Sequence, residues 1–278
     1  MLEGNLKTYT EEEKAAIEKD LRVVRDVCFP ANPVIKSRPL YVATAGAPGA
    51  RKTTILEKFL KNHSETSDCI YLDPDPRALK YMVHTYISRS LSPLAAAEAE
   101  NYMTLIRDAY NKWRFGSTYI CATLLEEAFS NRYDVAHGTT LTGEVVPRLL
   151  KTIKEAGYEI SLLLCSCEDE FRVESITHRN EVQRFYQSSP EDATTKGLFF
   201  PQRMEVYFAM ADKLYFHWSD DLTTPERLAA VYEDGNLTIL DEEAWVLFWQ
   251  KYEKDREILR AQGKEIRASD ELLESISR

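Results

Sequence analysis

The sequence lacks the features that mark membrane, secreted and nucleic-acid-binding proteins. It has no run of about 18 apolar residues, which excludes a membrane-spanning helix. No basic stretch followed by an apolar one opens the chain, so we expect no signal peptide. The formal net charge is -10, whereas broad nucleic-acid binding depends on Lys and Arg that neutralise phosphates. Any anionic ligand must therefore be drawn by a local basic site.

Cysteine is also scarce, with five residues and no C-x-x-C pair. An odd, scattered set is typical of reduced thiols, so we predict a cytoplasmic, reducing compartment and leave delivery into another cell open. Cys165 and Cys167 flank Ser166 at the end of an apolar run. Buried thiols are favoured there over a metal site.

The most informative stretch is a loop of small residues between an apolar run and an amphipathic segment. Residues 46–54 are Gly-Ala-Pro-Gly-Ala-Arg-Lys-Thr-Thr, close to the phosphate-binding pattern G-x-x-x-x-G-K-[ST]. In that pattern Lys52 reaches the β- and γ-phosphates, and Thr53 ligates Mg²⁺. Arg51 replaces the second glycine, where a side chain needs a helical backbone angle or crowds the phosphates. We predict nucleotide contacts from Gly46, Ala47, Gly49, Ala50, Arg51, Lys52, Thr53 and Thr54.

Short apolar strands alternate with helices along most of the chain. Strands are predicted at 40–45, 69–72, 133–138, 158–165 and 214–216, and a hairpin at 229–240 turns about Asp234-Gly235. This order predicts an α/β fold, a P-loop NTPase-like parallel sheet with helices on both faces. N- and C-terminal helical additions and the small β-hairpin complete it.

We predict three parts: an N-terminal helix and linker (1–38), a P-loop kinase-like domain (39–240) and a C-terminal helical extension (241–278). Thr10 and Glu13 form a capping-box pattern, and Asp241 is placed to cap the last helix. A helix is expected to begin at Pro76. The long helical region after Ser92 is expected to break near Gly116. Residues 188–197 are expected to form a mobile loop.

Ligands of parallel α/β sheets collect at the carboxyl ends of the strands. That rule brings the phosphate loop, Asp73, Asp75 and residues 137–140 to one crevice. Phosphoryl transfer needs the phosphates held in line, their charge neutralised and the acceptor hydroxyl oriented. Asp75, or less favourably Asp73, is placed to accept the hydroxyl proton, and the other carboxylate to touch metal-bound water. Asp-Pro pairs are also common turn starters, so a purely structural role stays open.

Several cations follow the fourth predicted strand. Arginines on a helix before a mobile loop are suited to close over a transferring phosphoryl group. Taken singly, each is more typical of a solvated charge. The candidates are Arg172, Arg179, Arg184, Lys196 and Arg203.

The order of these motifs resembles the zeta-toxin family of small-molecule kinases. The shared order is a P-loop, a strand ending in D-x-D, a long Ala-rich helical segment, a strand ending in x-G-T, and a helix bearing an arginine. The resemblance runs from about Leu40 to Phe216, and its best local match is Tyr133 to Glu174.

The resemblance implies a kinase that transfers the γ-phosphate of ATP or GTP, with Mg²⁺, to a hydroxyl of a nucleotide-sugar or dinucleotide. It implies that Lys52, Asp75 and Arg179 are catalytic and that Thr53 ligates the metal. It also implies an inhibitory, antitoxin-like protein partner for some members. The residues expected to contact the acceptor are Asp73, His137, Thr139, Thr140, Lys196 and Arg203.

Three residues depart from the family pattern. His137 stands where the family has Glu before Gly-Thr, Cys121 stands where many members have a substrate-holding Glu, and Arg51 replaces a glycine. They leave two alternatives to a small-molecule kinase. One is a P-loop protein that binds a nucleotide or partner without catalysis, and the other is a kinase that acts on a protein.

Overall fold

The computed structural model describes residues 6–92, 99–182, 186, 188, 189, 193 and 197–264. Within them the seven strands are β1 (Leu40–Gly46), β2 (Ile70–Leu72), β3 (Val135–His137), β4 (Glu159–Ser166), β5 (Lys213–Trp218), β6 (Arg227–Glu233) and β7 (Asn236–Ile239). The α-helices among the described residues are α1 (Glu11–Cys28), α2 (Lys52–Asn62), α3 (Ala99–Ser130), α4 (Val146–Glu155), α5 (Asp169–Val182), α6 (Met204–Met210) and α7 (Glu242–Ala261).

The chain divides into two compact units, each made of several segments. Unit 1 comprises the described residues of Met1–Pro39, Glu65–Gly138 and His178–Gln187. Unit 2 comprises those of Leu40–Ser64, Thr139–Thr177 and Ser188–Arg278. These boundaries differ from the three predicted parts, which stay a prediction.

Unit 1 holds the parallel pair β2 and β3, with Leu72 opposite His137. Helix α1 begins with the predicted capping box, since the side chains of Thr10 and Glu13 each accept the other's backbone N–H. Between β2 and α3 the chain forms π-helical turns at Pro74–Ala78 and Val83–Leu91, separated by a 3-10 turn at Leu79–Tyr81. The first turn begins at Pro74, two residues before the predicted start, because Asp73 caps it.

Helix α3 continues through Gly116, so the predicted break there is wrong. A Cβ at Gly116 would lie 3.2 Å from Ile17 Cδ1 and 3.3 Å from Met82 Cε, so the glycine permits close packing without ending the helix. The Gly116 N–H donates to the Tyr9 hydroxyl at 3.0 Å. Tyr9 also stacks on the buried ring of Trp113, with ring centroids 5.5 Å apart.

Unit 2 holds five strands in the order β1-β4-β5-β6-β7. The pairs β1–β4 and β4–β5 are parallel, and β5–β6 and β6–β7 are antiparallel. The β6–β7 pair is the predicted hairpin, closed by Asp234-Gly235 with both residues at positive φ. The Asp241 side chain accepts the Ala244 N–H and caps α7, as predicted.

The core of unit 2 is aromatic on one side of the sheet. Phe216 of β5 meets Trp245 and Phe248 of α7, with centroids 5.1 and 5.3 Å away. Farther along α7, buried Lys251 pairs with Asp255 and lies 3.1 Å from Asp169. Burial lowers the pKa of Lys251, and the Asp255 carboxylate opposes that shift. Buried cations need such partners.

The predicted α/β class is confirmed, with mostly parallel strands flanked by helices. Among the described helices, none is long and apolar enough to cross a membrane. None of the five cysteines forms a disulfide bond. The predicted loop 188–197 lies largely outside the described residues.

Candidate active site

The phosphate loop follows β1 in unit 2 and needs glycine at two positions. Gly46 has φ +143°, and a Cβ there would overlap the Cys165 carbonyl oxygen. Gly49 has φ +86°, and a Cβ there would lie 2.6 Å from the Arg172 carbonyl oxygen. The Gly46 N–H donates to the Thr140 carbonyl at 3.0 Å. Neither glycine tolerates a side chain, as expected for a loop whose backbone encloses phosphate oxygens.

Helix α2 begins with the lysine and threonine that are predicted to contact the phosphates and Mg²⁺. Lys52 is its first residue and Thr53 its second, so both lie at the positive end of the helix dipole. The Lys52 ammonium donates to the Ala47 carbonyl at 2.6 Å, across the loop. A lysine placed over the loop beside a helix N-terminus is suited to bind an anion.

Arg51 adopts the left-handed backbone conformation that the missing glycine would supply, with φ +55° and ψ +23°. The Arg51 guanidinium donates to the carbonyls of Asp221 at 3.2 Å and Thr224 at 2.6 Å. It also lies 3.8 Å from the Glu226 carboxylate. The loop thus keeps its backbone shape, and the arginine side chain contacts other parts of unit 2.

The residues after β3 support the phosphate loop. The Thr44 hydroxyl donates to the Thr139 carbonyl at 2.7 Å and accepts the Thr139 N–H at 3.0 Å. The Thr140 hydroxyl lies 3.2 Å from that of Thr142. Buried Arg203 donates to the carbonyls of Thr142 and Gly143 at 3.3 and 3.1 Å. The acceptor contacts predicted for Thr139, Thr140 and Arg203 stay predictions; the contacts described here are within the protein.

Unit 1 carries the two aspartates, and they occupy different surroundings. Asp73 is buried, and its Oδ1 accepts the Asp75 N–H at 3.0 Å. It also packs on Gly138, where a Cβ would lie 2.6 Å from the Asp73 Cγ. Asp73 thus shapes the turn that carries Asp75. The sequence-based preference for Asp75 over Asp73 as the proton acceptor stays a prediction.

Asp75 is accompanied by Tyr110 and Arg179, also in unit 1. Burial, followed by the charge of Asp75, raises the pKa of the Tyr110 phenol. Burial lowers the pKa of Arg179, while the charges of Asp75 and, less strongly, Tyr110 and Asp73 oppose that shift. The Tyr186 ring packs edge-on against Tyr110, with centroids 5.4 Å apart. Two of the predicted catalytic residues, Asp75 and Arg179, therefore interact electrostatically with each other. Tyr110, which the sequence did not single out, interacts with both.

His137 and Cys121, the two residues of unit 1 that depart from the family pattern, are both buried. Burial lowers the pKa of His137 to about 4, so this imidazole is neutral at pH 7. Burial also raises the pKa of the Cys121 thiol well above its ordinary value. Neither replaces the charge of a glutamate at its position.

The remaining predicted cations fall into different places. Arg172 is buried in unit 2 and ion-paired with Asp169, one helical turn before it. Asp169 also pairs with Lys251, so Arg172 belongs to the buried ion pairs between α5 and α7. Lys196 and Arg184 lie outside the described residues, so their predicted lid roles stay predictions.

The residues present fit a nucleotide and Mg²⁺. Gly46 and Gly49 let the loop pack closely against the backbone of Cys165 and Arg172, and Lys52 places a cation across the loop. These are the glycine and lysine positions that the phosphate-binding motif uses. In the part of the chain that the structure describes, no three His, Cys, Asp or Glu residues cluster to hold a metal by themselves. Mg²⁺ usually takes only one or two protein ligands, along with substrate phosphates and water. Thr53, the second residue of α2, occupies the position of the motif whose hydroxyl contacts Mg²⁺.

The parallel strands, the glycine-dependent loop and the lysine at the start of α2 define a P-loop protein with a kinase-like nucleotide-binding fold. The zeta toxin family model matches residues 29–198, more than half of the chain. The chain belongs to the zeta toxin family. Among curated protein sequences, none matches it.

Solved structures share the fold at low sequence identity. A structure from the PezAT chromosomal toxin-antitoxin system of Streptococcus pneumoniae is 18% identical, with a TM-score of 0.53 over 96% of this chain and 98% of that one. A complex of AvrRxo1-ORF1 and AvrRxo1-ORF2 with sulphate ions is 13% identical, with a TM-score of 0.59 over 86% and 73%. The same complex with ATP is 12% identical, with a TM-score of 0.56 over 86% and 72%.

Proposed function

We propose that this protein is an NTP-dependent kinase that transfers a γ-phosphate to a hydroxyl of a nucleotide-type small molecule. The observation that carries the proposal is the phosphate loop, in which Gly46 and Gly49 exclude any side chain and Lys52 lies across the loop. Membership of the zeta toxin family supports a kinase over a simple nucleotide-binding protein.

Most of the proposed chemistry is positioning and charge neutralisation. Lys52 and the backbone N–H groups at the start of α2 hold the β- and γ-phosphates of ATP or GTP. Thr53 holds Mg²⁺, which neutralises the phosphate oxygens when bound. Asp75 accepts the proton of the acceptor hydroxyl, because it is the carboxylate not used as the cap of its own turn.

Arg179 is proposed to stabilise the charge of the transferring phosphoryl group. Burial weakens the hydration of its guanidinium, so its charge interacts more strongly with nearby groups than a solvated arginine would. Asp75 and Arg179 together provide a base and a cation of opposite charge in unit 1. Asp73, His137, Thr139, Thr140, Lys196 and Arg203 remain the proposed acceptor contacts.

The acceptor class and the partner follow from the family and the related structures. We propose a nucleotide-sugar or a dinucleotide as the acceptor, the substrate class that the resemblance implies. ATP in one related complex supports ATP as a phosphoryl donor. Toxin-antitoxin pairing in another system supports an inhibitory protein partner. The reducing cytoplasm remains the proposed compartment, on the basis of the scattered cysteines. Residues 39–240 are proposed as the kinase domain.

Phosphate transfer to a defined panel tests the proposal. The wild type is incubated with γ-labelled ATP or GTP, Mg²⁺, and a set of nucleotide-sugars and dinucleotides. Asp75→Asn keeps the shape of the side chain and removes the base, so we expect its transfer to fall at least about a hundredfold. Its nucleotide affinity, measured by calorimetry, should match the wild type.

The same experiment separates the alternatives. Nucleotide binding without transfer to any panel member would replace the proposal with a non-catalytic P-loop protein. Label found on an added protein would indicate a protein kinase. Equal transfer by Asp75→Asn and the wild type would remove Asp75 as the base.

A further inference from the structure

Arg51 joins the phosphate loop to a segment far along the chain. The segment comprises residues 219–226, which follow β5 and precede β6. Arg51 donates to two carbonyls of this segment, those of Asp221 and Thr224, at 3.2 and 2.6 Å. Its guanidinium also lies 3.8 Å from the Glu226 carboxylate, and the side chains are only 15% and 7% exposed.

A second contact from α2 reinforces the first. Lys58 pairs with Glu226 at 2.7 Å, so Glu226 is shared by two cations. Desolvation acts to raise the pKa of Glu226, but the hydrogen bond from Lys58 and the charges of Lys58 and Arg51 outweigh it and lower the pKa. Glu226 is therefore ionised at neutral pH and holds the end of the segment against α2.

The 219–226 segment also has internal order. The Asp221 carboxylate accepts the backbone N–H groups of Thr223 and Thr224 at 2.7 and 2.6 Å. It accepts both threonine hydroxyls as well. This turn fixes the direction of the Thr224 carbonyl, the acceptor of the shortest Arg51 hydrogen bond. A preformed turn lowers the entropy cost of holding that contact.

The position of the segment gives the contact a functional consequence. Strands β1, β4 and β5 are parallel, so the phosphate loop after β1 and the 219–226 segment after β5 lie at the same edge of the sheet. Ligands of α/β sheets bind at that edge. A segment held there by the phosphate loop itself is placed to contact a nucleotide whose phosphates occupy the loop.

We propose that Arg51 is a positioning residue of the nucleotide site, which ties the 219–226 segment to the phosphate loop so that this segment completes the site. The inference rests on the proposed nucleotide binding. Arg51 is not proposed as an extra cation for the transferring phosphate, because its Nη1 donates to two carbonyls of the segment and its Nη2 lies 3.8 Å from the Glu226 carboxylate. It is not a steric defect either, because its backbone already has the required left-handed conformation.

Hydrogen exchange and nucleotide binding test the proposal in the full chain. Arg51→Gly restores the glycine of the motif, removes the side chain and keeps a residue suited to φ +55°. We expect faster amide exchange in residues 219–226 without nucleotide. We also expect about tenfold weaker ATP binding by calorimetry, equivalent to one lost hydrogen bond to a charged group. The KM for ATP should rise, and kcat at saturating ATP should stay near the wild-type value.

Two further variants keep the proposal falsifiable. Glu226→Gln should produce the same faster exchange in smaller degree, because it removes the carboxylate and keeps the backbone acceptors. Arg132→Gly is the matched control. Arg132 also has a positive φ, of +56°, and its guanidinium donates to backbone carbonyls of residues 36 and 37 in unit 1. This control should leave the exchange of residues 219–226 and the ATP affinity unchanged.

The outcomes distinguish the inference from the function on which it rests. If amide exchange at residues 219–226 is unchanged in Arg51→Gly, Arg51 does not hold this segment, and the inference is overturned whether or not the protein is a kinase. Tighter ATP binding by that variant would support a steric defect, and a loss in kcat alone would support a catalytic cation; either overturns the inference. If exchange rises but the wild type binds no ATP, the proposed function fails and the nucleotide role of Arg51 fails with it.

Discussion

A methyl group added at Gly138 should displace Asp75, the proposed base, although it would not contact Asp75 directly. A Cβ at Gly138 would lie 2.6 Å from the Cγ and 2.8 Å from the Cβ of Asp73, and nearer still to its carboxylate oxygen. Asp73 is buried and therefore has little room to move. Gly138→Ala must displace Asp73, which caps the turn that carries Asp75.

The size of the effect follows from two parts of that displacement. The hydrogen bond from the Asp75 N–H to Asp73 Oδ1, 3.0 Å long, is a cap worth about 1 kcal/mol. Overpacking a buried site adds about 1–3 kcal/mol. We expect a loss of about 2–4 kcal/mol in the free energy of unfolding, within the usual stability of about 5–15 kcal/mol. The variant should therefore still fold.

The rate of transfer should also fall. Misplacing a catalytic group by about 1 Å can cost about a hundredfold in rate, so we expect a loss of that order in kcat. ATP binding should be retained, because the phosphate loop belongs to unit 2. Denaturant unfolding, ATP calorimetry and the transfer assay measure the three quantities.

Gly143→Ala is the matched control. An added Cβ there meets only Val145 Cγ2, at 4.0 Å, an ordinary contact. It should leave stability within about 0.5 kcal/mol and transfer unchanged. The reasoning is refuted if Gly138→Ala is as stable and as active as Gly143→Ala.

Three other perturbations address separate features. Lys52→Ala should abolish ATP binding in calorimetry, and an unchanged affinity would exclude phosphate binding by this loop. Gly49→Ala should also lose ATP binding, because its Cβ would lie 2.6 Å from the Arg172 carbonyl oxygen; retained affinity would show that the backbone cradle is not needed. The His137 pKa, lowered from 6.5 to about 4, makes folding stability fall as pH drops through that window, by up to about 3 kcal/mol. Denaturant unfolding of His137→Asn should show a shallower fall between pH 6.5 and 4, and an identical fall would contradict a buried neutral imidazole.

Features encoded by neighbouring residues could be predicted from the sequence. The phosphate loop, the Thr10–Glu13 capping box, the Asp241 cap and the Asp234-Gly235 hairpin each depend on residues close in the chain, and the structure contains all four. Local backbone preferences decide such features. The alternation of strands and helices gave the α/β class for the same reason.

Features that depend on distant packing could not be predicted. Gly116 was predicted to break the helix, but close packing against Ile17 and Met82 explains why a glycine occupies this position. The acceptors of Arg51 are 170 and 173 residues away, and nothing in the loop sequence indicates them. Tyr110 carried no signal either, because an aromatic residue in a long helix is typical of a core position.

Phosphoryl transfer at equal nucleotide occupancy tests the central claim most directly. The wild type and Asp75→Asn are each saturated with ATP and Mg²⁺, with occupancy checked by calorimetry. A single turnover with the best acceptor of the panel is then followed by the mass of the acceptor. We predict a phosphorylated acceptor from the wild type and at least about a hundredfold less from Asp75→Asn. Equal yields, or no product from a fully occupied wild type with any acceptor, would contradict the assignment of this protein as a nucleotide-type small-molecule kinase.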